Sequence, residues 1–315
     1  QQQQQQQRQP CPYGAVSVQA CHNMLAGSTG CAEWEAGLAL SEALINHPEL
    51  VRGATCLELG CGTGLVGIHA ARAGAAWVAM TDGDSEAAQN CAWNCRINGV
   101  RLSDVPLGTN VQDAAVKELN NGQGLNCTSN SELGHGATCT VGVCCWSTEV
   151  ALLSGAKRQM PSDSSALKLM GGRFPEVILG SDLIYDPEVV PVLVQLIKNL
   201  LLGAQAARSG KTENDQRGQK QTSGLGNCHE FVSMPQKPAA VAYLCSTRRN
   251  PKTTALFEAC VIRAGLSLED ASHSLTSVGA GPASARFQCV SSLEAARQRI
   301  LLQAITLPDD GWQAS

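Results

Sequence analysis

The stretch LELGCGTGLVG, residues 57–67, decides the fold, because it joins an apolar run to a helix-like stretch through a glycine-rich turn. The run ATCLEL (54–59) has the composition of a buried strand, and residues 64–73 have that of a helix. Glycines at positions 60, 62 and 64 let the backbone approach a ligand closely, since no Cβ stands in the way. The stretch therefore predicts a ligand-binding loop at the end of a strand.

The alternation of strand and helix continues along the chain. Apolar runs predict strands over 54–59, 76–81, 140–146, 176–181, 239–246 and 299–307. Helices are predicted over 64–73, 85–97, 187–202 and 252–264, the last ending before the capping glycine Gly265. Such alternation is typical of a parallel sheet covered by helices on both faces, in which ligands bind beyond the carboxyl ends of the strands. The last strand is expected to pair as an edge hairpin.

Polar, low-complexity segments interrupt this pattern. Residues 1–12 are predicted to be a disordered polyglutamine tail, and residues 13–315 a single domain. Surface insertions are predicted near 120–138, 154–172 and 204–238, because compact domains rarely contain such long polar loops.

Composition excludes several classes of partner. The formal net charge of −4 gives no basic surface for nucleic acid or an anionic membrane. No apolar run approaches the roughly 18 residues of a membrane-spanning helix. The fifteen cysteines are scattered, without a C-x-x-C pair or zinc-finger spacing, so we predict reduced core cysteines and no metal site. The six histidines are dispersed and indicate no hydrolase triad.

The glycine loop has two candidate ligands. A dinucleotide fingerprint needs its third glycine at position 65, which is Leu65, and the neighbouring Glu58 would repel a pyrophosphate. The G-x-G-x-G spacing after Glu58 is typical of S-adenosylmethionine sites, whose ligand carries an ammonium and a sulfonium. Asp82 ends the second strand and can accept ribose hydroxyls of either ligand, whereas Asp84 is the expected N-cap of the next helix.

With these residues in hand, the chain resembles the seven-β-strand protein-lysine methyltransferases. Within that family the resemblance is greatest to the members that methylate elongation factor 2. The segments that carry it are STGCAEWEAGLALSEALINHPELVRG (28–53), LELGCGTGLVG (57–67), TDGDSEAAQNCAWNCRING (81–99), VILGSDLIYDPEVVPVLVQLI (177–197) and STRRNPKTTALFEACVIRAGL (246–266). The resemblance implies a seven-stranded Rossmann-like class I methyltransferase sheet, mostly parallel with an antiparallel C-terminal strand.

The resemblance also implies S-adenosyl-L-methionine as cofactor and a set of residues that hold it. Gly60, Cys61, Gly62 and Gly64 with Glu58 would surround its methionine end, and Asp82 its ribose. Trp34 would close over it, Trp146 would stack near the adenine from the end of a strand, and Ser181 would flank it. The family usually has Asp before that second tryptophan, where this chain has Cys145.

The acidic stretch GSDLIYDPE, residues 180–188, contains the candidate catalytic residues. Asp182 and Tyr185 are expected at a strand end, where a carboxylate and a phenol can orient a lysine amine. Asp186, Pro187 and Glu188 are expected to start a helix instead. A metal site here lacks a histidine, and a purely structural Asp182 remains an alternative.

Three hypotheses for function remain at this point. The first is a cytoplasmic, monomeric protein-lysine N-methyltransferase acting on elongation factor 2. The second is a methyltransferase of the same fold acting on another protein or a small molecule. The third is a non-catalytic binding module, which would need neither the glycines nor Asp82 and Asp182.

Overall fold

The computed structural model describes residues 15–20, 32–103, 137–154, 162–219, 239–275, 293 and 296–308. Its strands are β1 (Thr55–Leu59), β2 (Trp77–Asp82), β3 (Thr138–Val143), β4 (Val177–Ser181), β5 (Val241–Thr247), β6 (Ser267–Asp270) and β7 (Ile300–Thr306). They form one sheet in the order β3-β2-β1-β4-β5-β7-β6. Strands β1 to β5 run parallel, and β7 is antiparallel to both of its neighbours. The predicted fold class is confirmed.

Helices cover both faces of this sheet. They are α1 (Glu35–Asn46), α2 (Leu65–Arg72), α3 (Ser85–Ile97), α4 (Trp146–Ser154), α5 (Ser165–Leu169), α6 (Val190–Gln219) and α7 (Pro251–Arg263). Alternate residues of β1 serve the two faces: Cys56 packs with α1, α2 and α3, whereas Leu57 and Leu59 pack with α4 to α7. Side chains of opposite parity thus belong to separate cores, as expected for a strand buried on both faces.

The C-terminal strands differ from the prediction. β7 does not lie at the edge, because it pairs with both β5 and β6. The edge strand is β6, which was not predicted. Its sequence SLED has a single apolar residue, Leu268, and its other three residues are exposed, so it has no apolar run.

The helix that follows β4 begins later and ends later than predicted. Asp186 accepts hydrogen bonds from the Glu188 N–H through its side chain (2.9 Å) and from the Val190 N–H through its carbonyl (3.3 Å). Pro187 to Val189 therefore form a turn, and α6 starts at Val190 instead of Pro187. The helix continues to Gln219, so part of the predicted 204–238 insertion is helical, while residues 220–238 lie outside the described residues.

Part of α6, Val190–Ser209, is long and apolar enough to cross a membrane by length and composition. Core helices pass the same test, and Val190, Leu193 and Ile197 of α6 are fully buried against the sheet. The apolar stretch is therefore explained by packing within the domain.

Two other boundaries also change. Within the predicted 154–172 insertion, α5 buries Ala166, Leu167 and Leu169, so this part belongs to the core, and residues 155–161 lie outside the described part. The predicted 120–138 insertion falls almost entirely on residues 104–136, which are also outside it, as is the polyglutamine tail. Trp146 does not end β3 but begins α4.

Candidate active site

A cavity of about 660 Å³ opens at the carboxyl ends of β1, β2 and β4. β1 lies between β2 and β4, so the chain leaves this central strand where the strand order reverses, the usual ligand site of such sheets. The predicted site residues that line the cavity are Trp34, Gly60, Cys61, Gly62, Asp82, Trp146, Ser181, Asp182 and Tyr185. Glu58 and Gly64 are not among the lining residues.

The glycine loop is built from left-handed backbone. Gly60, Gly62 and Gly64 have φ of 63°, 52° and 83°, which side chains other than glycine rarely adopt. A Cβ on Gly60 would lie 2.5 Å from Leu183 Cδ2. One on Gly64 would lie 2.6 Å from Cys91 Sγ, so this glycine serves packing on α3 instead of the cavity.

Glu58 lies beneath the loop, where it is only 1% exposed. Its Oε2 has no hydrogen-bond partner among the described residues, and burial raises its pKa well above the ordinary value. This oxygen lies near Met80 and Gly67, since a Cβ built on Gly67 would come within 2.6 Å of it. The structure therefore makes Glu58 a buried support of the site and not part of its wall.

Glu33 is the acidic side chain that lines this part of the cavity, and no sequence motif predicted it. It precedes α1, next to Ser181: a Cβ on Gly37 would lie 3.5 Å from Glu33 Oε2 and 3.4 Å from Ser181 Oγ. Burial raises the pKa of Glu33 from 4.5 to about 8. The only sequence signal was a glutamate immediately before Trp34.

Asp82 holds the glycine loop to the next helix. Its Oδ2 accepts a hydrogen bond from the Gly62 N–H and its Oδ1 one from the Asp84 N–H, both at 3.0 Å. Burial raises its pKa, and these two N–H groups partly offset that rise. Asp84 caps α3 by accepting from the Glu86 N–H at 2.8 Å, as predicted. Asp82 lines the cavity, where its carboxylate can accept hydrogen bonds from hydroxyl groups.

Asp182 is held in place by surrounding groups. Its φ of 51° is left-handed, the only such value for a non-glycine residue in the described part of the chain. Its carboxylate accepts hydrogen bonds from the N–H groups of Thr247 (2.9 Å) and Ala36 and pairs with Arg249 (3.2 Å). Burial raises its pKa, and these partners oppose the rise. The side chain is well placed to join β4 to α1 and β5, as a positioning residue would.

Arg249, treated above as part of a matched segment without a site role, extends this cluster. Its guanidinium lies 4.8 Å from the centre of the Trp34 ring and also donates to Glu35 Oε2 at 3.0 Å. Trp34 is thus clamped at the start of α1 by a cation–π contact, so one arginine sets the position of both the indole and the Asp182 carboxylate.

The opposite wall is aromatic. The Trp146 ring lies 3.9 Å from the Cβ position of Gly60, and its indole N–H is buried with no hydrogen-bond partner among the described residues. Tyr185, also on the lining, is 63% exposed at the mouth of the cavity. The Trp146 ring offers a flat apolar surface, and its indole N–H can donate a hydrogen bond. Both features suit a bound heteroaromatic ring.

The charge of the wall decides which ligand fits. Five lining residues are acidic (Glu33, Asp82, Asp84, Asp182 and Glu188), and no lysine or arginine is found among the lining residues that are described. A pyrophosphate would meet acidic side chains and no lysine or arginine among these lining residues, whereas a ligand with a sulfonium and an ammonium would be attracted to them. The cavity fits S-adenosylmethionine and not a dinucleotide. No group of three or more potential metal ligands occurs within the described residues.

Sheet order, glycine loop and acidic cavity together define the class I methyltransferase fold. Residues 17–132 match the family model described as lysine methyltransferase. The chain is 28% identical over 176 residues to protein-lysine N-methyltransferase EFM3 of Chaetomium thermophilum, and 39% identical over 71 residues to the electron transfer flavoprotein beta subunit lysine methyltransferase of Xenopus laevis. Over these segments the chain is similar to protein-lysine methyltransferases.

These matches cover part of each chain. They span 56% of this chain and 39% of the Chaetomium protein, and 22% of this chain and 29% of the Xenopus protein. Among solved structures, a TehB-like SAM-dependent methyltransferase from Corynebacterium glutamicum aligns over 91% of this chain and 93% of its own, with 13% identity and a TM-score of 0.36. At that TM-score the fold assignment rests on the strand order itself.

Proposed function

We propose that the protein is an S-adenosylmethionine-dependent protein-lysine N-methyltransferase that acts on elongation factor 2. The observation that carries the proposal is the acidic cavity wall, without a lysine or arginine among its described residues, at a glycine loop within residues 17–132, which match a lysine methyltransferase family model. A non-catalytic module is disfavoured, because it would not need left-handed glycines, Asp82 and an acidic wall in one cavity.

Each part of the cofactor would be held by a distinct group of residues. Gly60, Cys61 and Gly62 would approach its methionine end through their backbone, and Asp82 would accept its ribose hydroxyls. Trp146 would stack on the adenine, with Trp34 and Ser181 flanking the sulfonium. When bound, the group supplies a methyl carbon already activated for attack by an amine.

The chain's own residues would prepare the lysine. Tyr185 stands at the cavity mouth, where its phenol oxygen can accept a hydrogen bond from the amine and direct its lone pair inward. Its ring can attract the methylated cation that forms. Asp182 keeps the turn that carries Tyr185 in place through Thr247 and Arg249.

Elongation factor 2 is the substrate that the matched segments favour. Residues 28–53 and 246–266 resemble the family members that methylate it, and they contain the Trp34 and Arg249 that meet at the cavity. We also propose that the protein is cytoplasmic and monomeric, which is consistent with that substrate. The Xenopus relative is named for another protein, the electron transfer flavoprotein beta subunit, which makes that subunit the natural competitor.

The test is a methylation assay with radiolabelled donor. We expect label on unmethylated recombinant elongation factor 2, at a lysine located by mass spectrometry, and none on the flavoprotein beta subunit. Asp82→Ala should abolish donor binding, whereas Tyr185→Phe should keep donor binding and lower turnover about tenfold. Label only on the flavoprotein subunit or in a metabolite fraction would contradict the substrate, and failure of the wild-type protein to bind donor would contradict the function.

A further inference from the structure

An extended segment ahead of the site, residues 15–20, lies along α3 and is held by asparagines four residues apart. The Ser17 N–H donates to Asn98 Oδ1 at 2.9 Å, and Asn98 Nδ2 donates back to the Ser17 carbonyl at 2.6 Å. Gln19 is held in the same way by Asn94, with distances of 2.7 and 3.1 Å. Each amide thus replaces one pair of the hydrogen bonds that a neighbouring strand would make.

Asn94 and Asn98 each make a third contact, but with different partners. Asn98 Nδ2 also donates to the Asn94 carbonyl of the same helix at 2.7 Å. Asn94 Nδ2 also donates to the carbonyl of Thr63 at 2.9 Å, and Asn94 is 0% exposed. Thr63 lies between the left-handed Gly62 and Gly64 and lines the cavity. One buried amide therefore ties the segment on α3 to the glycine loop.

The loop has few other fixed points. Asp82 holds the Gly62 N–H, and the Gly64 N–H donates to the Cys61 carbonyl at 2.7 Å. Between two glycines with permissive backbone, the orientation of the Thr63 carbonyl is set by its hydrogen-bond donor. Without that donor, the buried Thr63 carbonyl would turn to another partner, and the Gly64 N–H in the same peptide plane would turn with it.

We propose that Asn94 is a positioning residue of the methyl-donor site, and that residues 17–19 act on donor affinity through it. This rests on the proposed function, because it concerns the same cavity. The segment orients the amide of Asn94, the amide fixes Thr63, and Thr63 keeps the glycine loop in the conformation that approaches the donor. Residues 17–19 thus contribute to donor binding, although they do not line the cavity.

The matched pair for the test is Asn94→Asp and Asn98→Asp, which make the same chemical change one helical turn apart. Both replace a donating amide by a carboxylate, and both weaken the hold on residues 17–19. We expect Asn94→Asp to raise the Kd and the KM for donor about tenfold, with kcat at saturating donor within twofold of wild type. Asn98→Asp should leave all three within twofold.

A second pair keeps the buried side chain intact. Gln19→Pro removes the N–H that orients Asn94, whereas Ser17→Pro removes the one bound by Asn98. We expect a roughly threefold increase in the donor Kd for Gln19→Pro and none for Ser17→Pro. Equal effects within either pair, or no effect of Asn94→Asp on a correctly folded protein, would overturn the proposal.

Amide hydrogen exchange without donor separates this proposal from the proposed function. Asn94→Asp should speed exchange at Gly62 to Gly64 at least tenfold, and Asn98→Asp should not. If wild type failed to bind donor, the proposed function would be wrong, while the exchange comparison would still decide whether Asn94 controls the loop. Unchanged exchange in Asn94→Asp would refute the coupling.

Discussion

The cavity carboxyl of Glu33 makes a sharp prediction about stability and pH. Its pKa rises from 4.5 to about 8 because burial disfavours its charged form. Between these values the folded protein binds a proton that the unfolded chain has lost. The free energy of unfolding therefore falls as pH rises, by roughly 1.4 kcal/mol per pH unit for this group.

Over the whole window the loss would reach about 5 kcal/mol. Because Glu33 lines an open cavity, water solvates part of its charge, and we expect about half of that, roughly 2–3 kcal/mol. Glu33→Gln cannot ionise. It should match wild type within about 1 kcal/mol at pH 5 and exceed its stability by roughly 2–3 kcal/mol at pH 8.

The assay is urea unfolding followed by tryptophan fluorescence at pH 5, 6, 7 and 8. Glu49→Gln is the control, because the pKa of this exposed carboxyl is lowered by its own backbone hydrogen bond and then by His47. Its removal should slightly destabilise the protein above pH 5, the opposite sign. Identical pH slopes for wild type and Glu33→Gln would refute the reasoning.

A cationic donor should release a proton from Glu33 on binding. Calorimetry in two buffers of different ionisation enthalpy measures this release.

Two further changes test the packing around the site. Gly60→Ala should lower thermal stability and donor affinity more than Gly53→Ala: both glycines have positive φ, but only at Gly60 would the Cβ meet a neighbour, Leu183, within 4 Å. Equal losses would show that backbone strain alone matters. Arg297→Met removes the guanidinium that donates to buried Glu42 at 2.8 Å, and should destabilise by roughly 3 kcal/mol, because the buried carboxylate loses this charged partner. A loss below about 1 kcal/mol in urea unfolding would contradict this.

Sequence alone was sufficient for the elements whose signal is local. Six strands were found because each is a continuous apolar run, and the Asp84 cap and the Gly265 end of α7 follow from short-range backbone chemistry. The start of α6 was wrong although Pro187 is favoured at a first helical position. The Asp186 side chain accepts a hydrogen bond from the Glu188 N–H, which stabilises a turn there instead of the first turn of the helix. The spacing of apolar residues carries no information about this hydrogen bond.

The cavity residues also divide into those with a local sequence signal and those without one. Those at the ends of strands, such as Asp82 and Ser181, were placed correctly because parallel strands bring their carboxyl ends to one edge. Glu33 and Arg249 were missed because they reach the site only through long-range packing of the α1 start and the β5–α7 loop. Their sequence neighbourhoods give no sign of a shared cluster.

The position of β7 has a consequence for how the chain folds. β5 and β6 are separated in the sheet by a strand that lies more than fifty residues later in sequence than β5. During synthesis β5 and β6 would each keep an unpaired edge until residues 300–306 leave the ribosome. Unpaired strand edges can pair with other chains and cause aggregation. A truncation before Ile300 should therefore produce aggregation instead of a smaller folded domain, because β5 and β6 would both keep an unpaired edge.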